Sequence, residues 1–360
     1  MHVALLANTA WMEEEMAIFR HLVVGLIDEQ VRVAQVVPTG IAPENLSAFG
    51  DWVSWRDSRW SYMRRWRLSH RATRLNELGV DVVHALDGRL WEGALRLALA
   101  INAPAILTSG SALDVAVANR LAGKLRTQRV AIAASTQPLG EIIRQRVNGA
   151  CMVKVVRAGV HIPDEASRRN GGDRTLSAVI SGTGRFDLDY QALFEALRLV
   201  IKDEPSAQFF LDGLSSDQHP LWQAARRYGL LRNLSMVPRR LQRRELLLGA
   251  DMLIHPQALH RARGLTLQAM AHGLPVLARA DPWLDYLEHD RTAWVVDAPE
   301  ANAWYDLIRR VVDRPEEGRR IGEQARQWIH DRHRAAQQIA VTLELYREVE
   351  GQSLKFPQTR

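Results

Sequence analysis

The stretch HRARGLTLQAMAHGLPVLA, residues 260–278, decides how this chain is read. A polar, arginine-bearing turn leads into GLTLQAMA, and the pattern predicts a short helix that opens on Gly264, Leu265 and Thr266. Gly273 serves as its C-terminal stop, and Pro275 opens a buried strand, PVLA. The first N–H groups of such a helix lack intrahelical partners, and the positive end of its dipole favours an anion. Gly264 allows close approach to the backbone, and Thr266 adds a hydroxyl. Gln268, one turn inside, carries an amide able to bond two hydroxyls. These donors suit a diphosphate. The alternative is a helix end satisfied by water.

Outward from this stretch, short apolar runs alternate with segments of helical periodicity. The predicted strands of the first half are 2–7, 31–37, 80–86, 104–108, 130–135 and 152–156. Those of the second are 176–181, 207–212, 234–237, 250–255, 275–278 and 293–297. Near-continuous apolar character marks strands covered on both faces, as in parallel sheets. Repeated β-α units of this kind predict an α/β protein of two doubly wound, Rossmann-like domains. The polar, aperiodic segment 161–176 is the expected linker, and 316–350 reads as helices. Ligands of open α/β sheets bind beyond the carboxyl ends of the strands. The chemistry is therefore expected in loops after strands, where two such domains face each other across a cleft.

At 360 residues the chain has room for two domains. Its one cysteine, Cys151, excludes an internal disulfide framework and lies in the apolar run ACMVKVV, which marks it as a buried small hydrophobe. The opening MHVALLANTAWMEEEM reads as a first strand and not a signal peptide. No 18-residue apolar run occurs, and a cytoplasmic protein is expected. The formal charge of +6 is carried almost wholly by arginine. It suits nucleic acid, anionic lipid or phosphorylated substrates alike. No zinc-finger or RNP-type pattern accompanies it, so nucleic acid is not the expected partner.

The segment GADMLIHPQALHRARGLTLQAMAHGLPVLARADPWLDYLEHDRTAWVVD resembles the donor-site segment of GT-B glycosyltransferases, specifically glycosyltransferase family 4. DVVHALDG, AIAASTQPLGEIIRQR, VVRAGVHI, VISGTGRFDLDYQALFEAL and QFFLDG agree in order, so the likeness spans about 1–350. It implies an N-terminal acceptor-side domain, 1–165, rejoined by a C-terminal helix near 335–352. A nucleotide-sugar domain follows over 174–334. It further implies sugar transfer from a nucleotide diphosphate sugar to a saccharide or lipid-linked acceptor, retaining, without cofactor or metal, in bacterial polysaccharide biosynthesis.

By the same resemblance Arg185, His260 and His84 are the catalytic candidates. Gly184, Arg185, Val237, Arg239, Gly264, Leu265, Thr266 and Gln268 would hold the donor. Thr9, Trp11, Asp87, Ser109 and Ser111 would face the acceptor. The departures are several. His260 and Gln268 stand where the family has glutamates, Tyr190 replaces a lysine, Gly110 a histidine and His161 an aspartate. NTAWMEEEM stands in for a Gly-rich loop. Arg185 could instead form a surface ion pair, Arg239 belong to a solvated helix face, and His84 be a satisfied core histidine. Two readings stay open: a working transferase, or a catalytically degenerate partner in glycan assembly. An epimerase of the same fold lacks its acidic, His-rich cleft. In 51–75, Trp52, Trp55, Tyr62, Met63 and Trp66 recur at near-helical spacing between arginines. Core packing is one expectation for them. Peripheral contact of 51–70 with anionic lipid at the inner membrane surface is another.

Overall fold

The computed structural model describes residues 1–39, 50–55, 61–164, 166, 175–183, 185–212, 219–237 and 243–351; the side chains of 55, 61–67, 219, 243 and 244 are outside the description. The chain divides into two compact units, Met1–Gly159 with Ala335–Arg360, and Val160–Arg334. Residues 160–164 group with the second unit, where Val160 forms a β-bridge with Arg334.

The first unit carries a seven-stranded sheet in the order β3-β2-β1-β4-β5-β6-β7. Its strands are β1 (His2–Leu6), β2 (Arg32–Pro38), β3 (Asp51–Trp55), β4 (Val82–Ala85), β5 (Ala105–Ser109), β6 (Val130–Ala134) and β7 (Met152–Val155). All neighbouring pairs are parallel. Strand β3 corrects the sequence reading, which placed Trp52 and Trp55 on a helical face. Val53 is buried and Trp52 is 38% exposed, the alternation of an edge strand with one covered face. The helix of this region begins only at α2 (Ser61–Glu77).

Helix α1 (Thr9–Asp28) starts where the Asn8 side chain accepts the Trp11 N–H at 2.8 Å. The helices α3 (Trp91–Ala100), α4 (Leu113–Thr127) and α5 (Gln137–Val147) follow β4, β5 and β6 in turn. Val3, Leu5, Phe19, Leu22, Ile106 and Ala131 share one core with Leu343, Leu345, Tyr346 and Val349 from the far end of the chain.

The second unit holds a six-stranded sheet in the order β10-β9-β8-β11-β12-β13. These strands are β8 (Ser177–Ile180), β9 (Gln208–Leu211), β10 (Leu234–Met236), β11 (Met252–His255), β12 (Val276–Arg279) and β13 (Trp294–Val296), again all parallel. Its helices are α6 (Leu188–Asp203), α7 (His219–Arg227), α8 (Arg243–Leu248), α9 (Gly264–Ala271), α10 (Ala301–Asp313) and α11 (Pro315–Arg332); α12 (Ala335–Glu350) returns to the first unit. Asp187 caps α6 by accepting the Tyr190 N–H. The core gathers Tyr190, Phe194, Phe209, Trp294 and Trp304. Gly273, at φ +74°, ends α9, and its carbonyl lies 2.0 Å from where a Cβ on Gly322 of α11 would stand. Only glycine permits that approach.

Both sheets reverse strand order beside their first strand, between β1 and β4 and between β8 and β11. The loops beyond those strands are where an open α/β sheet offers a crevice.

Candidate functional site

In the second unit the loop after β8 is tied to the loop after β11 by one side chain. Gln257, 3% exposed, accepts the N–H and the hydroxyl of Thr183, both at 2.9 Å. Its amide donates to the Arg185 carbonyl at 3.3 Å and to Asp187 at 2.5 Å. A Cβ on Gly182 would lie 2.5 Å from the Tyr190 hydroxyl, so that loop folds tightly over α6. Tyr190 is fully buried beneath it, and its ring packs edge-on against Phe194. Arg185 is exposed on this anchored loop, with no ion pair among the described residues. Gly184 and Arg239 lie outside the described residues.

Helix α9 begins at Gly264 with Arg263 as its N-cap and no side-chain cap. Leu265 and Thr266 are buried, and the Thr266 hydroxyl has no hydrogen-bond partner. The expectation of an open helix mouth needs correction. Arg263 is 3% exposed and sends its guanidinium to Asp212, just past β9, at 3.5 Å. Gly264 is buried with the rest of the first turn. An anion reaches these amides only if the Arg263 side chain yields or itself becomes the cation. Gln268 is half-buried, and its amide has no partner among the described residues. Val237 is buried and its N–H is spent on the Leu211 carbonyl at 3.1 Å, which leaves only its carbonyl for a ligand.

His255 ends β11 and stands in register beside the end of β8, where the Ser181 N–H meets the Ile254 carbonyl. Both His255 ring nitrogens and the Ser181 hydroxyl are buried without partners. Burial, helped by the charge of Arg263, holds the His255 pKa down to about 3. His255 feels the charge of Arg263, which in turn pairs with Asp212, so these groups form a polar cluster past the ends of β9 and β11.

His260 sits between the β11 loop and α9 in a left-handed conformation, φ +50°. Its N–H donates to Asp281 Oδ2 at 2.6 Å and its Nδ1 lies 3.1 Å from Asp281 Oδ1. The sequence reading missed Asp281, Gln257 and the Arg263–Asp212 pair. The first had a legible signal: Asp-Pro just past a strand marks an Asx-type turn, and the Trp283 N–H closes it on Asp281 Oδ1 at 3.0 Å.

The first unit offers less. His84 was expected as a catalytic group; the structure makes it a core histidine. It is 3% exposed, with Nδ1 2.6 Å from the Tyr346 hydroxyl and Nε2 2.8 Å from Thr108 Oγ1. Burial keeps its pKa down at about 3. Trp11 is half-buried and packs edge-on against Phe19 at 6.1 Å, at the margin of the core. Ser109 is fully buried and donates to Asp114 at 3.2 Å, while the Ser111 hydroxyl accepts the Leu113 N–H at 3.2 Å. Thr9 stays exposed at the start of α1, and Asp87 caps the short turn Gly88–Leu90. Asp114, which sequence reasoning passed over, gathers the N–H groups of Gly110 and Ser111 at 2.9 and 3.0 Å. Burial nonetheless raises its pKa to about 6, and Asp87 adds to the rise. Burial likewise pushes the half-buried Cys151 thiol to about 12, far from a working nucleophile. Among the described residues no group of three or more His, Cys, Asp or Glu is placed to hold a metal ion, and no helix is long and apolar enough to cross a membrane.

Residues 170–328 match the family described as Glycosyl transferases group 1. No curated protein sequence matches the chain. Among solved structures it is similar to Anabaena HepE in complex with UDP and glucose, with a TM-score of 0.77 and 14% identity over 95% of this chain and 99% of that one. It is also similar to a glycosyltransferase from Rickettsia africae ESF-5 (TM-score 0.76, 14% identity, 98% and 99% covered). A third is the sucrose-phosphate synthase of Thermosynechococcus elongatus (0.73, 15%, 97% and 99%). At these identities the likeness establishes the fold, GT-B, with two parallel-sheet Rossmann-like domains.

Proposed function

We propose that this chain, with a glycosyl transferases group 1 domain in a GT-B fold, moves a sugar from a nucleotide diphosphate sugar to a saccharide or lipid-linked acceptor. The donor belongs to the second unit. The observation that carries the reading is Arg185, whose guanidinium has no ion pair among the described residues, on a loop immobilised by Gln257 at the β8–β11 switch point. As the bond between the anomeric carbon and the diphosphate breaks, its electron pair leaves with the diphosphate. Arg185 stabilises that growing charge, joined by Arg263 or, once the Arg263 side chain has yielded, by the first amides of α9. The new bond forms to an acceptor hydroxyl oxygen, whose proton ends on the departing phosphate or in water. We take the transfer to be retaining and independent of metal. Three solved complexes fit this reading in substrate class: HepE with UDP-glucose, HepE with UDP and glucose, and a TarM variant with α-GlcNAc-glycerol and UDP.

A second reading has its own observation. The buried Arg263–Asp212 pair stands at the start of α9, and His84 is withdrawn into the core. These suit a chain that keeps the fold and serves glycan assembly without turnover.

A thermal-shift series with uridine, guanosine and adenosine diphosphates and their sugars tests the binding step. A shift with one base, diminished about tenfold in affinity by Arg185→Ala, is the expected result. Binding without any release of diphosphate, in wild type as in Arg185→Ala, decides for the non-catalytic reading.

A further inference from the structure

We infer that Asp281 is a positioning residue that fixes the His260 imidazole in one tautomer, so that Nε2 faces outward as a hydrogen-bond acceptor for a carbohydrate hydroxyl. The ligand part of this inference rests on the reading above; the positioning part stands on geometry alone.

The Asp281 side chain is 0% exposed, whereas that of His260 is 47% exposed. Each carboxylate oxygen is held by a backbone donor: Oδ2 by the His260 N–H at 2.6 Å, Oδ1 by the Trp283 N–H at 3.0 Å. The carboxylate therefore cannot rotate, and its remaining capacity on Oδ1 points to His260 Nδ1, 3.1 Å away. An ionised carboxylate only accepts. In the neutral ring Nδ1 must therefore carry the proton, and Nε2 keeps its lone pair. The pair thus differs from a surface contact such as His330–Asp331, where both side chains are 49% exposed and the carboxylate also accepts from the Gln327 amide at 2.8 Å.

The His260 backbone adds weight. Its φ of +50° is unusual for a residue other than glycine or asparagine, and such a conformation persists where the surroundings over-determine it. Here one aspartate grips both the backbone and the ring of the same residue. Half-buried Trp283 flanks the imidazole, ring centroids 6.4 Å apart and tilted by 52°. An aromatic face beside a fixed ring acceptor matches a sugar, which offers an apolar C–H face and hydroxyl donors together.

The test uses the full chain labelled with ring-15N histidine. Long-range proton–nitrogen spectra at alkaline pH read the tautomer, and His260→Asn, which tolerates the left-handed backbone, assigns the signal. Wild type is expected to show His260 protonated on Nδ1, and Asp281→Asn to lose that preference. An Nε2-protonated ring in wild type, or an unchanged tautomer in a folded Asp281→Asn, overturns the positioning role. Should Asp281→Asn not fold, the wild-type spectrum still decides. The ligand is then probed with uridine, guanosine and adenosine diphosphate glucose against the parent diphosphates. The His260 ring signal should move with a sugar nucleotide and not with its diphosphate, and Asp281→Asn should weaken the sugar nucleotide about tenfold relative to the diphosphate. Equal responses to both forms overturn the carbohydrate acceptor while leaving nucleotide binding intact. No binding by any of them overturns the reading of function, and the tautomer alone then decides the positioning role.

Discussion

Three buried ionisable side chains, His84, His255 and Asp114, have pKa values displaced by burial and so couple folding to pH. His84 and His255 have pKa values of about 3 in the fold against 6.5 outside it, so between those values only the unfolded chain takes their protons. Their contribution is fully present above pH 6.5 and is lost as pH falls, at about 1.4 kcal/mol per pH unit for each. Asp114 has the opposite sign. Its pKa rises from 3.8 to about 6 on folding, so the native state takes the proton first and gains stability as pH falls through that window. Between pH 6 and 3.8 Asp114 therefore offsets one of the two histidines. Urea unfolding followed from pH 7 to 4 should show uptake of about one net proton. His255→Leu removes a ring that has no hydrogen bond, so it should flatten that slope and stabilise the protein at pH 5 by about 2 kcal/mol. Asp114→Asn should steepen the slope. Parallel acid limbs in all three proteins would show that other groups control the response.

At the scale of elements, the contact between the end of α9 and α11 constrains the fold through backbone alone. A Cβ on Gly322 would fall 2.0 Å from the Gly273 carbonyl, which is backbone and cannot swing aside. Gly318, one turn earlier on the same helix, has nothing nearer than 3.7 Å. Gly322→Ala should cost about 3 kcal/mol or more, and Gly318→Ala should be neutral or stabilise by up to about 1 kcal/mol. Thermal unfolding of the pair compares them, and equal melting temperatures would refute the packing. Elements of this kind were legible where the pattern was local. Helix α9 was readable from Gly264 and Gly273, and twelve of the strands from apolar runs; β3 was hidden because its tryptophans also satisfy a helical spacing. The site was legible only in part. Arg185 could be placed from a strand–loop–helix pattern, but its anchor, Gln257, is 72 residues away from Arg185. Asp281 grips His260 across 21 residues, and Asp212 meets Arg263 across 51. No periodicity records such pairings. His84 shows the converse: its place after a strand suggested chemistry, while Tyr346, 262 residues on, makes it structural.

At the scale of the whole molecule, the end of the chain completes its beginning. Leu345, Tyr346 and Val349 of α12 are fully buried in the core of the first unit, and Lys154 on β7 bridges Glu344 and Glu348 at 2.9 and 3.2 Å. On α1, a Cβ at Gly25 would lie 2.5 Å from Ile339, so the two helices meet at close range. Truncation after residue 334 removes this whole layer and exposes the core of the first unit. The second unit keeps its own sheet and core, which draw only on residues between 176 and 321. A finer probe leaves the layer in place. Tyr346→Phe deletes the hydroxyl that meets His84 Nδ1 at 2.6 Å and leaves a buried ring nitrogen alone, at about 1–3 kcal/mol. Hydrogen exchange should then quicken in β1, β4 and β5 of the first sheet and stay unchanged in β8, β11 and β12 of the second. Faster exchange spread evenly over both sheets would mean that the two units open together, and that the chain behaves as one cooperative body despite its two cores.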